Sequence, residues 1–247
     1  MCNQHNLGRS ESPASPSRRQ VLLGGAATAT LMGWSASDAL AKGETAIDTP
    51  PNAISPDQAL KRLLAGNARY VANTPARKDF SAGRAARTRA QYPFASIVSC
   101  ADSRVAPELA FDQGPGDLFV VRVAGNFVND DGLASLEYGA KFLGIPFILI
   151  LGHTNCGAVG AAVKVVKENA RLPGHLPELV NAIKPAVRIA QGKKGGDLVA
   201  DATVENVRLN VHRLMVSRPI IGELVKTGKV RVAGGVYDLA TGKIDLV

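Results

Sequence analysis

Phe94-Ala95-Ser96-Ile97-Val98-Ser99-Cys100-Ala101-Asp102-Ser103-Arg104 joins an apolar run to three reactive side chains. The run up to Ser99 has the length and β-branched content of a buried strand, and Cys100, Asp102 and Arg104 follow at alternate positions. A second run, Ile145 to Leu151, begins Ile145-Pro146-Phe147-Ile148 and leads into Gly152-His153-Thr154-Asn155-Cys156-Gly157. Both read as strands whose carboxyl ends carry the chemistry, which is where open parallel sheets place their sites. Cys100, His153 and Cys156 supply two thiolates and one imidazole. Three protein ligands and one open position make a catalytic Zn²⁺ site, whereas structural sites are closed by four. The open position holds a water whose pKa the metal lowers to about 7. A fourth protein ligand is not apparent, since His175 and His212 fall in unrelated segments that look helical. Redox use of the two cysteines lacks a Cys-x-x-Cys pair. Asp102 can approach the metal or its water, and Arg104 can clamp that carboxylate with a bidentate pair. Gly157 and the Ala-rich segment after it read as a helix start whose N–H groups favour a thiolate at Cys156.

Helical spacing and caps organise the remainder. Residues 56–71 form an amphipathic helix with Ser55 as cap and Pro56 at its first position. A basic helix is expected over 78–91, leaning on the sheet or on a partner chain. Strands are expected at 95–100, 118–123 and 146–151, and helices at 132–143, 158–168, 176–191, 202–217 and 219–226. Residues 230–238 and 244–247 make a hairpin-like end turned at Thr241-Gly242. Strands that alternate with helices predict an α/β fold, a mainly parallel central sheet with helices on both faces. His175, in Pro173-Gly174-His175, is either a proton shuttle or an ordinary solvated loop residue.

The motifs C-x-D-x-R at Cys100-Asp102-Arg104 and H-x-x-C at His153-Cys156 make the chain resemble the β-class carbonic anhydrases. The resemblance runs from about Ile54 to Leu246. It includes Ser55-Pro56-Asp57 with Gly66-Asn67-Ala68-Arg69-Tyr70, similar to the family's amino-terminal helix, and Gly116-Asp117-Leu118-Phe119-Val120-Val121-Arg122, similar to its second strand. Ala124-Gly125-Asn126 resembles the loop that follows, but Val123 stands where Asn is common, which puts the hydrogen bonds of that turn in question. The likeness implies a zinc-dependent reversible hydration of CO₂ to bicarbonate and a proton, by attack of zinc-bound hydroxide. It implies Cys100, His153 and Cys156 as metal ligands, with Asp102 and Arg104 as the catalytic pair. Gln91, Phe119, Tyr138 and Gly157 would line the substrate pocket, partly across a homodimer or a higher even homo-oligomer. Ile97 stands where members that close the zinc with the aspartate usually carry Trp, so an open resting state with an Asp102–Arg104 pair is expected. A hydrolase of carbonyl sulfide or carbon disulfide is the related alternative. A non-enzymatic zinc- or bicarbonate-binding protein is the other, and the presence of both Asp102 and Arg104 argues against it.

Length and charge exclude other classes. The 247 residues are 46% hydrophobic and 20% charged, which suits one sizeable α/β domain. The net charge of +8 raises the question of nucleic acid, but the cations are scattered and no basic block interleaves with aromatics. No apolar run of about 20 residues follows the leader, so no membrane span is expected. Residues 1–41 read as a signal peptide: Ser17-Arg18-Arg19-Gln20-Val21-Leu22-Leu23 is a twin-arginine pattern, a Gly/Ala-rich apolar stretch follows, and Ala39-Leu40-Ala41 is a cleavage site. Residues 42–55 then form a linker, and 56–247 the catalytic domain. Export to a periplasm, or to another compartment served by this route such as a thylakoid lumen, is the expectation. Without the leader and its Cys2, only Cys100 and Cys156 remain, so there is no disulfide framework.

Overall fold

In a computed structural model of the chain, residues 50–247 are described, apart from 194. The leader and the first part of the linker lie outside the described residues. Five strands form one sheet: β1 (Ala95–Ser99), β2 (Leu118–Arg122), β3 (Phe147–His153), β4 (Arg231–Tyr237) and β5 (Ile244–Leu246). The order is β2-β1-β3-β4-β5, with the first four parallel and β5 antiparallel to β4. After β2 the chain crosses to the other side of β1, which makes the β1/β3 boundary the switch point of the sheet.

The helices are α1 (Pro56–Val71), α2 (Arg84–Arg87), α3 (Pro107–Ala110), α4 (Asp130–Phe142), α5 (Gly157–Glu168), α6 (Leu176–Gln191), α7 (Leu198–Val216) and α8 (Ile221–Lys226). Strand alternation divides the core. Ala95, Ile97, Phe147, Leu149 and Leu151 pack with Ala59 and Leu63 of α1 and Ala110 of α3. Val98, Ile148 and Ile150 pack with Leu136 of α4, Val207 and Leu214 of α7 and Ile221 of α8. Both sheet faces are therefore covered, as all-parallel strands require. A third cluster joins α5 and α6 around Cys100 and Cys156. Among the described residues no helix is long and apolar enough to cross a membrane.

Local signals explain most boundaries. Ser55 and Gln58 close a reciprocal capping box on α1. Asn52 and Ile54, just ahead of it, already belong to the packing: Asn52 donates to the Pro93 and Leu143 carbonyls, and Ile54 sits on the core. Helix α7 starts at Leu198, earlier than its apolar spacing implies, because Asp197 caps it through the Val199 N–H. Likewise Asn129 caps α4 two residues early, and α8 starts at Ile221 rather than 219. Strand β3 runs on to His153, and the short α3 had no sequence signal beyond Pro107.

The basic helix expected over 78–91 is not formed. Only Arg84–Arg87 is helical, with no buried residue, after a left-handed Gly83. The segment has no apolar stripe to bury, and its cations serve other ends. Arg87 donates to the Phe80 and Ala82 carbonyls, and Lys78 pairs with Asp112. Asp112, buried after α3, also takes Arg69 of α1 at 2.6 Å and the Ala76 N–H at 3.1 Å. Burial alone would raise its pKa, but Lys78, the Ala76 N–H and Arg69 outweigh that and hold it at about 2.

A carboxyl lowered in this way contributes stability above its unfolded pKa of about 3.9 and loses it as pH falls towards its folded value. Asp112→Asn is expected to lower stability by about 2 kcal/mol at pH 7. It should also flatten the fall in urea midpoint between about pH 4 and pH 2, relative to the parent protein. Parallel curves for the two proteins would remove Asp112 from the acid response.

Candidate metal centre

Cys100 is the first residue after β1, His153 the last of β3, and Cys156 the N-cap of α5. β1 and β3 are hydrogen-bonded neighbours in parallel, with Ser99 opposite Leu151, so their carboxyl ends stand side by side. Asn155, at φ 53°, turns the chain back so that Cys156 faces the same point. The donor atoms of Cys100, His153 and Cys156 all lie within 4.8 Å of one another, and all three residues are buried.

The imidazole is set for a ligand. His153 Nδ1 lies 2.9 Å from the Thr154 carbonyl, which fixes the proton on that nitrogen. Its Nε2 is fully buried and has no hydrogen-bond partner among the described residues. An unpaired buried ring nitrogen is costly unless something coordinates it.

The thiols point the same way. The Cys156 side chain beside Cys100, opposed by burial and helped by His153 and the N–H groups of Gly125 and Asp102, brings the Cys100 thiol well below the ordinary thiol range. Those N–H groups approach its sulfur at 3.2 and 3.4 Å. Cys156 is driven the other way, far above an ordinary thiol, by the same pairing and by burial. Two buried thiols this close ionise together only if a cation sits between them. A two-thiolate, one-imidazole donor set fits Zn²⁺.

Next to the donors, Arg104 grips Asp102. Its Nε and Nη2 donate to the two carboxylate oxygens at 2.9 and 2.7 Å, and its backbone N–H donates at 3.0 Å. This holds the Asp102 carboxyl well below the usual carboxylate range. Asp102 Oδ2 is 3.9 Å from His153 Nε2, so the carboxylate faces the donor group. Arg122, at the end of β2, donates to the Cys100 carbonyl at 2.9 Å and the Asp102 carbonyl at 2.7 Å. It braces the turn that carries both residues. Only the parallel register of Ser99 with Arg122 brings it there, and the motif pattern did not single it out.

The loop after β2 resolves the Val123 question. Its turn is closed by backbone, Val123 N–H to Ser99 O at 3.1 Å and Asn126 N–H to Val123 O at 2.9 Å. Side-chain support comes instead from α7, where Asn206 donates to the Gly125 carbonyl and Asn210 accepts from Val128. Gly157 is exposed at the first turn of α5, with open space where a Cβ would stand.

Three expected pocket residues are not gathered at this centre within one chain. Gln91 precedes β1, and five strand residues, about 16 Å of rise, separate that end from Cys100. Gln91 and Tyr138 share a surface depression with Tyr92 and Phe142. Tyr138 is 49% exposed and tilts against Phe142, with ring centroids 5.6 Å apart. Phe119 sits near the start of β2, opposite Ser96, and is half-buried under α4. Their placement follows from the strand direction: ligands lie at the carboxyl ends and these residues at the amino ends.

Residues 95–244 match the family model described as carbonic anhydrase. A carbonic anhydrase of Mycolicibacterium smegmatis is 36% identical over 197 residues, 79% of this chain and 95% of its own. The solved structure of the β-carbonic anhydrase CcaA is 26% identical with a TM-score of 0.58, covering 77% of this chain and 92% of that one. A tetrameric β-carbonic anhydrase of Sordaria macrospora shares the fold at 24% identity and a TM-score of 0.60, over 67% of this chain and 86% of its own. With its Cys-His-Cys centre at the sheet's switch point, the chain belongs to the β-class carbonic anhydrases.

Proposed function

We propose that this protein catalyses the reversible hydration of CO₂ to bicarbonate and a proton, with Cys100, His153 and Cys156 holding Zn²⁺. The observation that carries this reading is the buried His153 Nε2, without a hydrogen-bond partner among the described residues, beside two buried cysteines and an Arg-held carboxylate. When bound, the metal supplies a Lewis acid that makes a nucleophilic water available near neutral pH. The chain's own residues do the positioning. Asp102 uses Oδ1 for the backbone and Nε of Arg104, while Oδ2 takes only Nη2 and keeps a lone pair towards the donor group. That lone pair accepts the hydrogen bond of the attacking water and turns its oxygen towards carbon. Because the Asp102 carboxyl is held far below its usual range, it stays an acceptor throughout the neutral region and does not store the released proton. The proton leaves to solvent. His175 is an exposed residue at the N-terminus of α6, in loose reach of Glu178.

A second copy completes the pocket in this reading. β2 is an edge strand of the described sheet, only half-buried, and near the amino ends of the strands Tyr92, Tyr138 and the 73% exposed Phe142 line one depression. A strand edge left unpaired among the described residues and a set of exposed aromatics are both unfavourable surfaces for a lone chain. Pairing across it would carry Gln91, Phe119 and Tyr138 towards the partner's metal centre, in an even homo-oligomer. Export of the chain through its twin-arginine leader, residues 1–41, belongs to the same proposal.

Cys100→Ser, His153→Ala and Cys156→Ser are each expected to lose zinc and CO₂ hydration together. Arg104→Ala is expected to keep one zinc per chain while turnover falls about a hundredfold, because an unclamped Asp102 no longer orients the water. Metal analysis and stopped-flow hydration on the chain from Lys42 onward measure both. Full zinc retention in His153→Ala, or normal turnover in Arg104→Ala, would contradict the assignment.

Tyr138→Glu combined with Phe142→Glu is expected to give monomers that retain zinc but hydrate CO₂ poorly. Sedimentation velocity with the same kinetic assay tests this, and a fully active monomer would refute the shared pocket.

Replacing Arg18 and Arg19 together by Lys is expected to leave unprocessed protein in the cytoplasm. Normal processing of that variant by the general secretory route would rule out the twin-arginine address.

A further inference from the structure

Helix α7 places two buried asparagines, Asn206 and Asn210, at 1% and 6% exposure, against the loop between β2 and α4. Asparagine is a poor helix-interior residue and costly to bury unless its amide is fully used. Here both amides are used. Asn206 Nδ2 donates to the Gly125 carbonyl at 2.8 Å. Asn210 Oδ1 accepts the Val128 N–H at 2.8 Å, and Asn210 Nδ2 donates to the Asn206 backbone carbonyl at 2.8 Å and to the Asn206 side-chain Oδ1 at 3.3 Å. The two side chains thus grip the loop on either side of Asn126.

Gly125 links this grip to the metal centre, since its N–H donates to Cys100 Sγ at 3.2 Å. Glycine is required there. Its φ is +85°, and a Cβ would come within 2.5 Å of Ile183 Cδ1. A residue with no Cβ sets its own peptide orientation weakly. The Gly125 N–H lies in the peptide before the residue and its carbonyl in the peptide after it, so the link runs through the turn. The Gly125–Asn126 peptide is held at its oxygen by Asn206 and at its N–H by the Val123 carbonyl at 2.9 Å, and this fixes the turn from which the Gly125 N–H projects at the sulfur.

We propose that Asn206, locked by Asn210, is a positioning residue of the metal centre. By fixing the Gly125–Asn126 peptide that closes the turn, it keeps the Gly125 N–H aimed at the Cys100 thiolate, which withdraws charge from that sulfur and sets its strength as a donor. This rests on the assignment of Cys100, His153 and Cys156 as metal ligands. Outer partners of this kind typically affect metal affinity by about 10–100-fold.

The test replaces zinc by Co²⁺ in the full chain and reads the sulfur-to-metal charge-transfer band, together with zinc affinity against a chelating dye. Asn206→Leu is expected to shift the band to lower energy, because the sulfur lone pairs lose a hydrogen bond, and to weaken zinc binding about tenfold. Asn206→Ser, which is too short to reach Gly125, is read in the same way if the leucine variant does not fold. Asn67→Leu is the control: that asparagine is equally buried but bonds Ala110 and Gly242, remote in sequence from the metal ligands. An unchanged band and affinity in the Asn206 variants would overturn the proposal, as would an equal shift in Asn67→Leu. Absence of any sulfur band in the parent protein would overturn the metal centre itself, a result distinct from either.

Discussion

Cys100 and His153 lie 53 positions apart in the chain and meet because β1 and β3 are hydrogen-bonded in parallel, Ser99 opposite Leu151. Everything at the metal centre depends on that pairing. It aligns two carboxyl ends, so that the residue after one strand and the last residue of the other share a point in space. The crossover that moves β2 to the far side of β1 leaves the crevice above them open. α5 then starts at this crevice, and its cap supplies Cys156. The hydrophobic layers on both faces of β1 and β3 are what hold the register, because a slip of one residue would turn Ile97 and Leu149 out of one core and into the other.

The electrostatics of the centre follow from putting two sulfurs in a buried place. Neither burial nor proximity favours a pair of thiolates, and the surroundings answer with N–H groups and cations. Gly125 and Asp102 aim backbone N–H groups at Cys100, and the first turn of α5 does the same for Cys156 through Ala158 and Val159. Arg104 and Arg122 stand at the rim, one on the Asp102 carboxylate and one on the carbonyls of Cys100 and Asp102. A dication completes this balance. The clamp on Asp102 does more than lower its pKa: a carboxylate engaged by a guanidinium at both oxygens is a weaker competitor for a cation.

Much of this was legible in the sequence because it is local. A strand followed by Cys-x-Asp-x-Arg fixes the spacing of three side chains by pleat and turn, and the Asp102–Arg104 pair needs no other part of the chain. The capping box at Ser55 and the start of α5 at Gly157 are local in the same sense. What was not legible is held by contacts between distant segments. Arg122 becomes a brace only through its register with Ser99, and Asn206 becomes part of the centre only when α7 lies across β3. The missing helix over 78–91 has the same cause. Its charges suit a helix, but Asp112 recruits Lys78 and no apolar stripe anchors the rest.

Strand direction also constrains where the substrate wall can come from. In a parallel sheet all the ligands collect at the carboxyl edge, so a residue that precedes β1 stands a full strand length, about 16 Å, from Cys100. No side-chain rotation closes that distance for Gln91, and Tyr138 faces the same remote depression. One chain therefore presents a metal centre at one end of its sheet and the residues proposed for the pocket at the other. These two halves serve one pocket only if a second copy apposes them. A two-fold axis at the β2 edge would do so twice over, because an isologous contact that brings Gln91 of one copy to the other's centre must also bring the reverse. In the proposed assembly the exposed aromatics near the amino ends of the strands would bury their surface in the same step that completes the two pockets, so assembly and catalysis would draw on one interface.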